Sequence, residues 1–244
     1  MVVTKYRFLG NGRYEVFIDD NKYILYEDVI LKYNILGKSN ITKDLLDSCL
    51  KDNVFYEIYY KAIKYINVKL RSYNEMKSYL IKAGYDSVVV SLVLDKLKGD
   101  GYINEEIYTE CYVNDEINLR LVGPLKIERD LLKIGIDKDI ILKYVSKYDK
   151  SVQIDKINKF INKEVKLNNS KSSYVLKNKI LISLVNKGFY KEDIVMCLDN
   201  VSIDDSVVYD REYKKVYDKL SRKYSGSDLE YRVKQKMYMK GFRM

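Results

Sequence analysis

The side chains with most chemistry to offer here are cations: 44 Lys and Arg stand against 35 Asp and Glu, and there is no His. Without imidazole, the usual general base and the commonest metal ligand are both missing, which removes zinc-hydrolase and Ser-His-Asp readings. The best remaining acid pairs are Glu105/Glu106 and Asp204/Asp205. Adjacent residues in a helix point apart, so Glu105 and Glu106 are poorly placed to share a substrate atom. Cys49, Cys111 and Cys197 are odd in number, widely spaced and set among apolar residues, with no CxxC pair. They are expected as buried, reduced thiols rather than as a disulfide or metal site. Binding of anionic partners is the chemistry left, with no catalysis, cofactor or metal expected.

The charge is unevenly placed. Residues 1–150 carry 24 basic and 23 acidic groups, whereas residues 151–244 carry 20 and 12 and so hold +8 of the net +9. A basic half of this kind suits nucleic acid or an acidic protein groove. Some of these lysines must simply solvate the polar faces of helices. The 25 Tyr, with no Trp and many Lys, Asn and Ile, fit A/T-biased coding, so their number carries no functional weight.

The elements that must position these cations are mostly helical. With 47% apolar residues, one Pro and 11 Gly in 244 residues, the chain can build a substantial core and has few helix breakers. No apolar run approaches the roughly 18 residues of a membrane span, and the N-terminal MVVTKYRFLGNGR lacks a hydrophobic signal core, so a cytoplasmic protein is expected. Residues 2–25 alternate apolar and polar around Gly10-Asn11-Gly12 and Asp19-Asp20-Asn21, which predicts three short antiparallel strands. Helices are expected at about 26–34 and, behind the N-cap Thr42, at 42–50.

From residue 53 the pattern repeats. SYLIKAGY (78–85), DLLKIGI (130–136), SLVNKGFY (183–190) and KMYMKGF (236–242) align on Gly84, Gly135, Gly188 and Gly241, which lie 51, 53 and 53 residues apart. Four residues before each glycine stands Leu80, Leu131, Leu184 or Met237, and eight before stands Met76, Ile127, Ile180 or Val233, one face of a helix. An apolar residue follows each glycine: Tyr85, Ile136, Phe189 and Phe242. Left-handed glycine C-caps, with that residue folding back on the last turn, account for the arrangement. No GxGxxG or GxxxxGK[ST] spacing supports phosphate binding by these glycines.

Ser72-Tyr73-Asn74-Glu75 and Ser227-Asp228-Leu229-Glu230 read as capping boxes, and Gly123-Pro124 as a glycine N-cap with proline at the first helical position. Middle helices of about 12–16 residues are predicted between these starts and the glycines. A helix precedes each of the first three, at 53–68, 104–118 and 152–166, and another follows, at 86–98, 137–148 and 190–200. The expected fold is mainly α: an elongated array of three-helix repeats with a period of about 50 residues, after a small N-terminal β meander. Its segments are the meander with short helices (1–52), repeats at 53–102, 103–150 and 151–201, and a basic partial fourth repeat at 202–244.

The segment from Lys69 to about Lys143 resembles the RecX family of regulatory proteins, modulators of the RecA recombinase. Arg71, Ser72, Glu75, Leu80, Lys82, Gly84, Gly101, Tyr102 and Ile103 carry the first motif, in which Asn104 replaces a usual Asp. Arg120, Gly123, Pro124, Ile127, Leu131, Lys133, Gly135 and Ile136 carry the second. The likeness continues more weakly to about Asn200, and the meander and the extra C-terminal helices look like those of longer family members.

What the resemblance implies is binding in the groove of the RecA nucleoprotein filament and restraint of its ATPase and strand-exchange activities in recombination and DNA repair. Candidate contacts in the middle repeats are then Lys69, Arg71, Lys77, Lys82, Arg120, Lys126, Arg129 and Lys133, and in the C-terminal part Arg222, Lys223, Arg232, Lys234, Lys236 and Lys240. A monomer is expected. The alternative is a helical module that binds single-stranded nucleic acid directly, with Tyr73, Tyr79, Tyr231 and Tyr238 stacking on bases, although tyrosines at helical spacing are more often core or half-buried.

Overall fold

A computed structural model describes residues 1–168 and 170–243. The chain opens with three antiparallel strands in sequence order, β1 (Val3–Gly10), β2 (Arg13–Ile18) and β3 (Asn21–Tyr26). Both hairpins close over two residues, Asn11-Gly12 between the paired Gly10 and Arg13, and Asp19-Asp20 between Ile18 and Asn21. All four loop residues have positive φ, from 45° to 66°, the geometry that matches the twist of the strands and that Asn, Asp and Gly tolerate. Val16, Ile18 and Leu25 bury the inner face against α1 (Glu27–Tyr33) and the start of α2 (Lys43–Ile66), where Val29, Ile30, Leu46 and Cys49 meet them.

The break expected between helices at 42–50 and 53–68 does not occur, since α2 runs unbroken through 24 residues. Asn53, inside this helix, ties it to the sheet. The Asn53 amide accepts from the Tyr26 N–H at 2.8 Å and donates to the Ile24 carbonyl at 2.9 Å. Asp52 accepts from Lys32 Nζ at 2.5 Å and from the Tyr33 hydroxyl at 2.8 Å. With neither Gly nor Pro in the segment, nothing stops the helix.

Residues 1–108 form one compact unit and 109–244 a second. In the first, α2, α3 (Tyr73–Lys82) and α4 (Ser87–Gly99) close around Ile58, Ala62, Met76, Leu80, Val93 and Leu97. Ser72 caps α3 as a full capping box with Glu75. Helix α5 (Glu105–Leu119) follows, its first N–H groups taken by Asn104 Oδ1 at 3.0 and 3.1 Å.

The second unit continues with α6 (Pro124–Ile134), α7 (Lys138–Val145), α8 (Lys150–Lys166), α9 (Ser173–Asn186), α10 (Lys191–Asp199), α11 (Ser206–Leu220) and α12 (Gly226–Met239). Ile157, Ile161, Ile180, Leu184, Phe189 and Ile194 form one core, and Val216, Val233, Met237 and Phe242 another.

The glycine pattern is borne out at every repeat. Gly84, Gly135, Gly188 and Gly241 have φ between 83° and 91°. The following N–H, of Tyr85, Ile136, Phe189 or Phe242, returns to the carbonyl of Leu80, Leu131, Leu184 or Met237 at 3.1–3.4 Å, the Schellman closure. The last four side chains are fully buried. Three expectations need correction. Helices α3 and α6, at 10 and 11 residues, are shorter than predicted. Helix α12 starts at Gly226 behind Ser225, so Ser227 lies within its first turn and Asp228 serves Arg232 instead of a cap. Cys111 is exposed, on α5, while Cys49 and Cys197 are buried.

Successive middle helices of the second unit are joined end to end by hydrogen bonds. The Gly123 and Leu125 N–H groups, at the start of α6, donate to the Lys187 and Gly188 carbonyls at the end of α9 at 2.8 and 3.1 Å. A Cβ on Gly123 would lie 2.3 Å from the Gly188 oxygen, and one on Gly188 would lie 2.3 Å from Lys126 N. At the next junction the Ser172 hydroxyl, at the start of α9, donates to the Lys240 carbonyl at 3.1 Å, and a Cβ on Gly241 would lie 2.7 Å from that hydroxyl oxygen.

Candidate interaction surface

The cations named from the sequence divide into those spent on structure and those left to a partner. In the first unit, the Arg71 guanidinium lies 4.2 Å from the Tyr65 ring centroid, and Tyr65 stacks on Tyr79 at 3.8 Å and 9°. Arg71 Nε is buried without a hydrogen-bond partner, so the π contact accounts for much of its placement. Tyr79 is thereby taken up by the same stack, and Tyr73 packs half-buried against the core. Lys69 and Lys82 are exposed and Lys77 half-buried, and no ion pair among the described residues holds them. Lys82, in the last turn of α3, also balances the helix dipole there.

In the second unit four candidates have acidic partners. Arg120 pairs with the buried Glu116 at 2.9 Å and Lys126 with Asp130 at 2.8 Å. Arg232 meets both Asp228 oxygens at 2.9 and 3.0 Å and lies 4.1 Å from the Tyr224 ring, and the Asp228 hydrogen bond raises its pKa. Lys240 reaches Glu212 at 2.6 Å, which also holds Lys215 at 2.9 Å. The two lysines hold Glu212 at a pKa of about 2. Arg129 and Lys133 on α6, Arg222 and Lys223 after α11, and Lys234 and Lys236 on α12 are exposed, without an ion pair among the described residues. On α12, Tyr231 and Tyr238 stand 67% and 66% exposed beside these lysines.

The acid pair Asp204/Asp205 serves the backbone. Asp205 Oδ2 accepts from Ser173 N at 2.6 Å, and Asp204 Oδ1 from Ser206 N at 2.9 Å, which lowers the Asp204 pKa. No helix of the described residues is long and apolar enough to cross a membrane. Four cations not named from the sequence, Lys156, Lys159 and Lys163 on α8 and Lys187 at the end of α9, line a cavity of about 570 Å³ together with Arg120. The three α8 lysines recur at helical spacing and were legible as one face. Lys187 is brought to them only by the fold.

Comparison with known proteins agrees with the resemblance. No protein-family model matches the chain. Regulatory protein RecX of Bacillus cytotoxicus is 29% identical over 240 residues, covering 94% of this chain and 88% of the relative. Regulatory protein RecX of Listeria innocua is 26% identical over 236 residues, covering 94% and 87%. A crystal structure of regulatory protein RecX superposes with a TM-score of 0.74 over 82% of this chain and 99% of that one, at 20% identity. The chain is similar to RecX proteins over nearly its whole length. A second solved RecX, from Lactobacillus salivarius, is 28% identical and superposes with a TM-score of 0.55 over 60% of this chain and 97% of its own. The RecX likeness thus spans the meander, the helical repeats and the C-terminal helices, a mainly helical repeat fold behind a three-stranded sheet.

Proposed function

We propose that this RecX-like chain binds the RecA recombinase filament and inhibits its ATPase and strand-exchange activities, as a monomeric cytoplasmic regulator in recombination and DNA repair. The observation that carries the reading is the family likeness over 94% of the chain. The cations Lys69, Lys82, Arg129, Lys133, Arg222, Lys223, Lys234 and Lys236, without an ion pair among the described residues, supply the matching chemistry. Many exposed cations, each worth little alone, add up when one chain meets several copies of a repeating partner.

The test is the DNA-dependent ATPase rate of a cognate recombinase with this protein at substoichiometric amounts. Inhibition is expected, and reversing the four charges Arg222, Lys223, Lys234 and Lys236 to Glu should weaken it about tenfold or more. Unchanged inhibition would remove that cluster from the contact, and absence of any inhibition by the unaltered chain would refute the proposal.

A second reading, direct binding of single-stranded nucleic acid, is favoured by one observation: Tyr231 and Tyr238 share an exposed face of α12 with Lys234. It requires firm binding to naked single strands with a steep salt slope, lost on Tyr231→Ala/Tyr238→Ala. Feeble naked-strand binding at matched salt would sink it.

A further inference from the structure

The groove at the end of α5 is built differently from the rest of the cationic surface. Its cavity of about 570 Å³ falls in the range of small-ligand and peptide side-chain pockets. Five cations line it and no carboxylate does. Two of the five are fixed by the fold. Arg120 is paired with Glu116. Lys156 Nζ donates to the Ile117 carbonyl and, at 2.7 Å, to that of Arg120. That places its charge on the open C-terminal carbonyls of α5, where burial lowers its pKa.

The other three, Lys159 and Lys163 on successive turns of α8 and Lys187 at the C-cap of α9, have no carboxylate partner among the described residues. Between them stands an apolar wall of Leu119, Leu121 and Phe160. Leu119 is 77% exposed, a large aliphatic side chain left in water at the lip of a basic groove.

We propose that this groove binds an acidic peptide segment carrying an apolar anchor residue, presented by a partner protein. The carboxylates engage Lys159, Lys163 and Lys187, and the anchor settles against Leu119, Leu121 and Phe160. Charge complementarity selects the acidic partner, and the aliphatic wall separates peptide from nucleic acid. A single-strand site needs free aromatic faces. In a chain with 25 Tyr none lines this groove, and the face of its one ring, Phe160, is approached by Lys187 Nζ at 5.9 Å. Leucine walls suit a leucine or phenylalanine side chain. This assignment rests on the reading that the chain acts by binding another protein, and it locates one contact of that kind on the α5–α8–α9 side.

The experiment uses the full chain and a short fluorescent peptide with glutamates on both sides of a Leu-Phe pair, followed by anisotropy at low salt. A Gly-Gly version of the peptide and a labelled oligothymidylate are run alongside. The Leu-Phe peptide is expected to bind more tightly than its Gly-Gly control. Lys159→Glu/Lys163→Glu should weaken it about tenfold or more, and Leu119→Ser should shrink the difference between the two peptides. All three positions are exposed, so melting curves should be unchanged and the loss local. No binding of the Leu-Phe peptide, or binding indifferent to the double reversal, would overturn the proposal. So would oligothymidylate binding that the reversal abolishes while the peptide stays free. Recombinase ATPase inhibition is measured on the same samples: its absence with peptide binding intact counts against the filament reading alone, and its presence without peptide binding counts against the groove alone.

Discussion

Glu212 shows how a charged surface residue becomes structural. Its carboxylate accepts from Lys215 one turn along α11 and from Lys240 beyond the end of α12, and its pKa falls from the ordinary 4.5 to about 2. A carboxyl whose folded pKa is depressed contributes stability above its unfolded pKa and loses it as pH falls through the folded one. Contact between α11 and α12 should therefore weaken from about pH 4.5 down to about 2. Glu212→Gln should remove that part of the acid transition while lowering stability at neutral pH, as read by near-UV circular dichroism of the tyrosines across a pH series. An acid limb unchanged by the substitution would show that the bridge is idle. The pairing of Glu212 with Lys240 spans 28 positions, so no local sequence pattern announced it. Lys240 stood out as a candidate contact because its charge was legible and its partner was not. Arg71 is a similar case: its motif position was visible, but the Tyr65–Tyr79 stack that absorbs it was not.

Among the elements, the middle helices were the most legible, because a glycine flanked by apolar residues at fixed helical offsets fits a left-handed C-cap and little else. Their starts were read well where the cap is a side chain, as at Ser72, and badly at Ser227. There the run of Ser225, Gly226 and Ser227 offers several starts and local chemistry does not choose between them. The junctions were invisible, since they join residues more than 60 positions apart, through backbone atoms at Gly123 and Lys187 and through the Ser172 hydroxyl at Lys240. They can be isolated by a pair of substitutions. Gly84→Ala meets only the left-handed φ of 91°, with nothing within 4 Å of the new Cβ, and should cost about 1–2 kcal/mol. Gly188→Ala has a φ of 86° and also drives its Cβ to 2.3 Å from Lys126 N, so it should cost about 1–3 kcal/mol more. Urea denaturation of the two variants measures the difference. Equal losses would mean that the α6–α9 junction yields without penalty.

For the whole molecule, the sequence disclosed the charge imbalance, and the fold determined which charges remain available. Of the candidate cations, Arg120, Lys126, Arg232 and Lys240 are already offset by neighbours. If exposed, unpaired cations carry the recombinase contact, inhibition should weaken steadily as salt is raised from about 50 to about 200 mM. Reversal of Arg222, Lys223, Lys234 and Lys236 should flatten that dependence, and a salt-insensitive inhibition constant would assign the contact to apolar surface. The end-to-end junctions bear on the same question. The carbonyl end of α12 meets the start of α9, and the carbonyl end of α9 meets the start of α6. The partial charges at those inner ends cancel, so the three helices behave as dipoles wired in series, with a positive pole at the start of α12 and a negative pole at the end of α6. The donors that many proteins offer to phosphates at helix starts are already committed, those of α6 to the Lys187 and Gly188 carbonyls and those of α9 to the Asp205 carboxylate and the Ser172 hydroxyl. An anion approaching either junction finds its backbone electrostatically quiet and must be read by ammonium and guanidinium groups, which salt can screen.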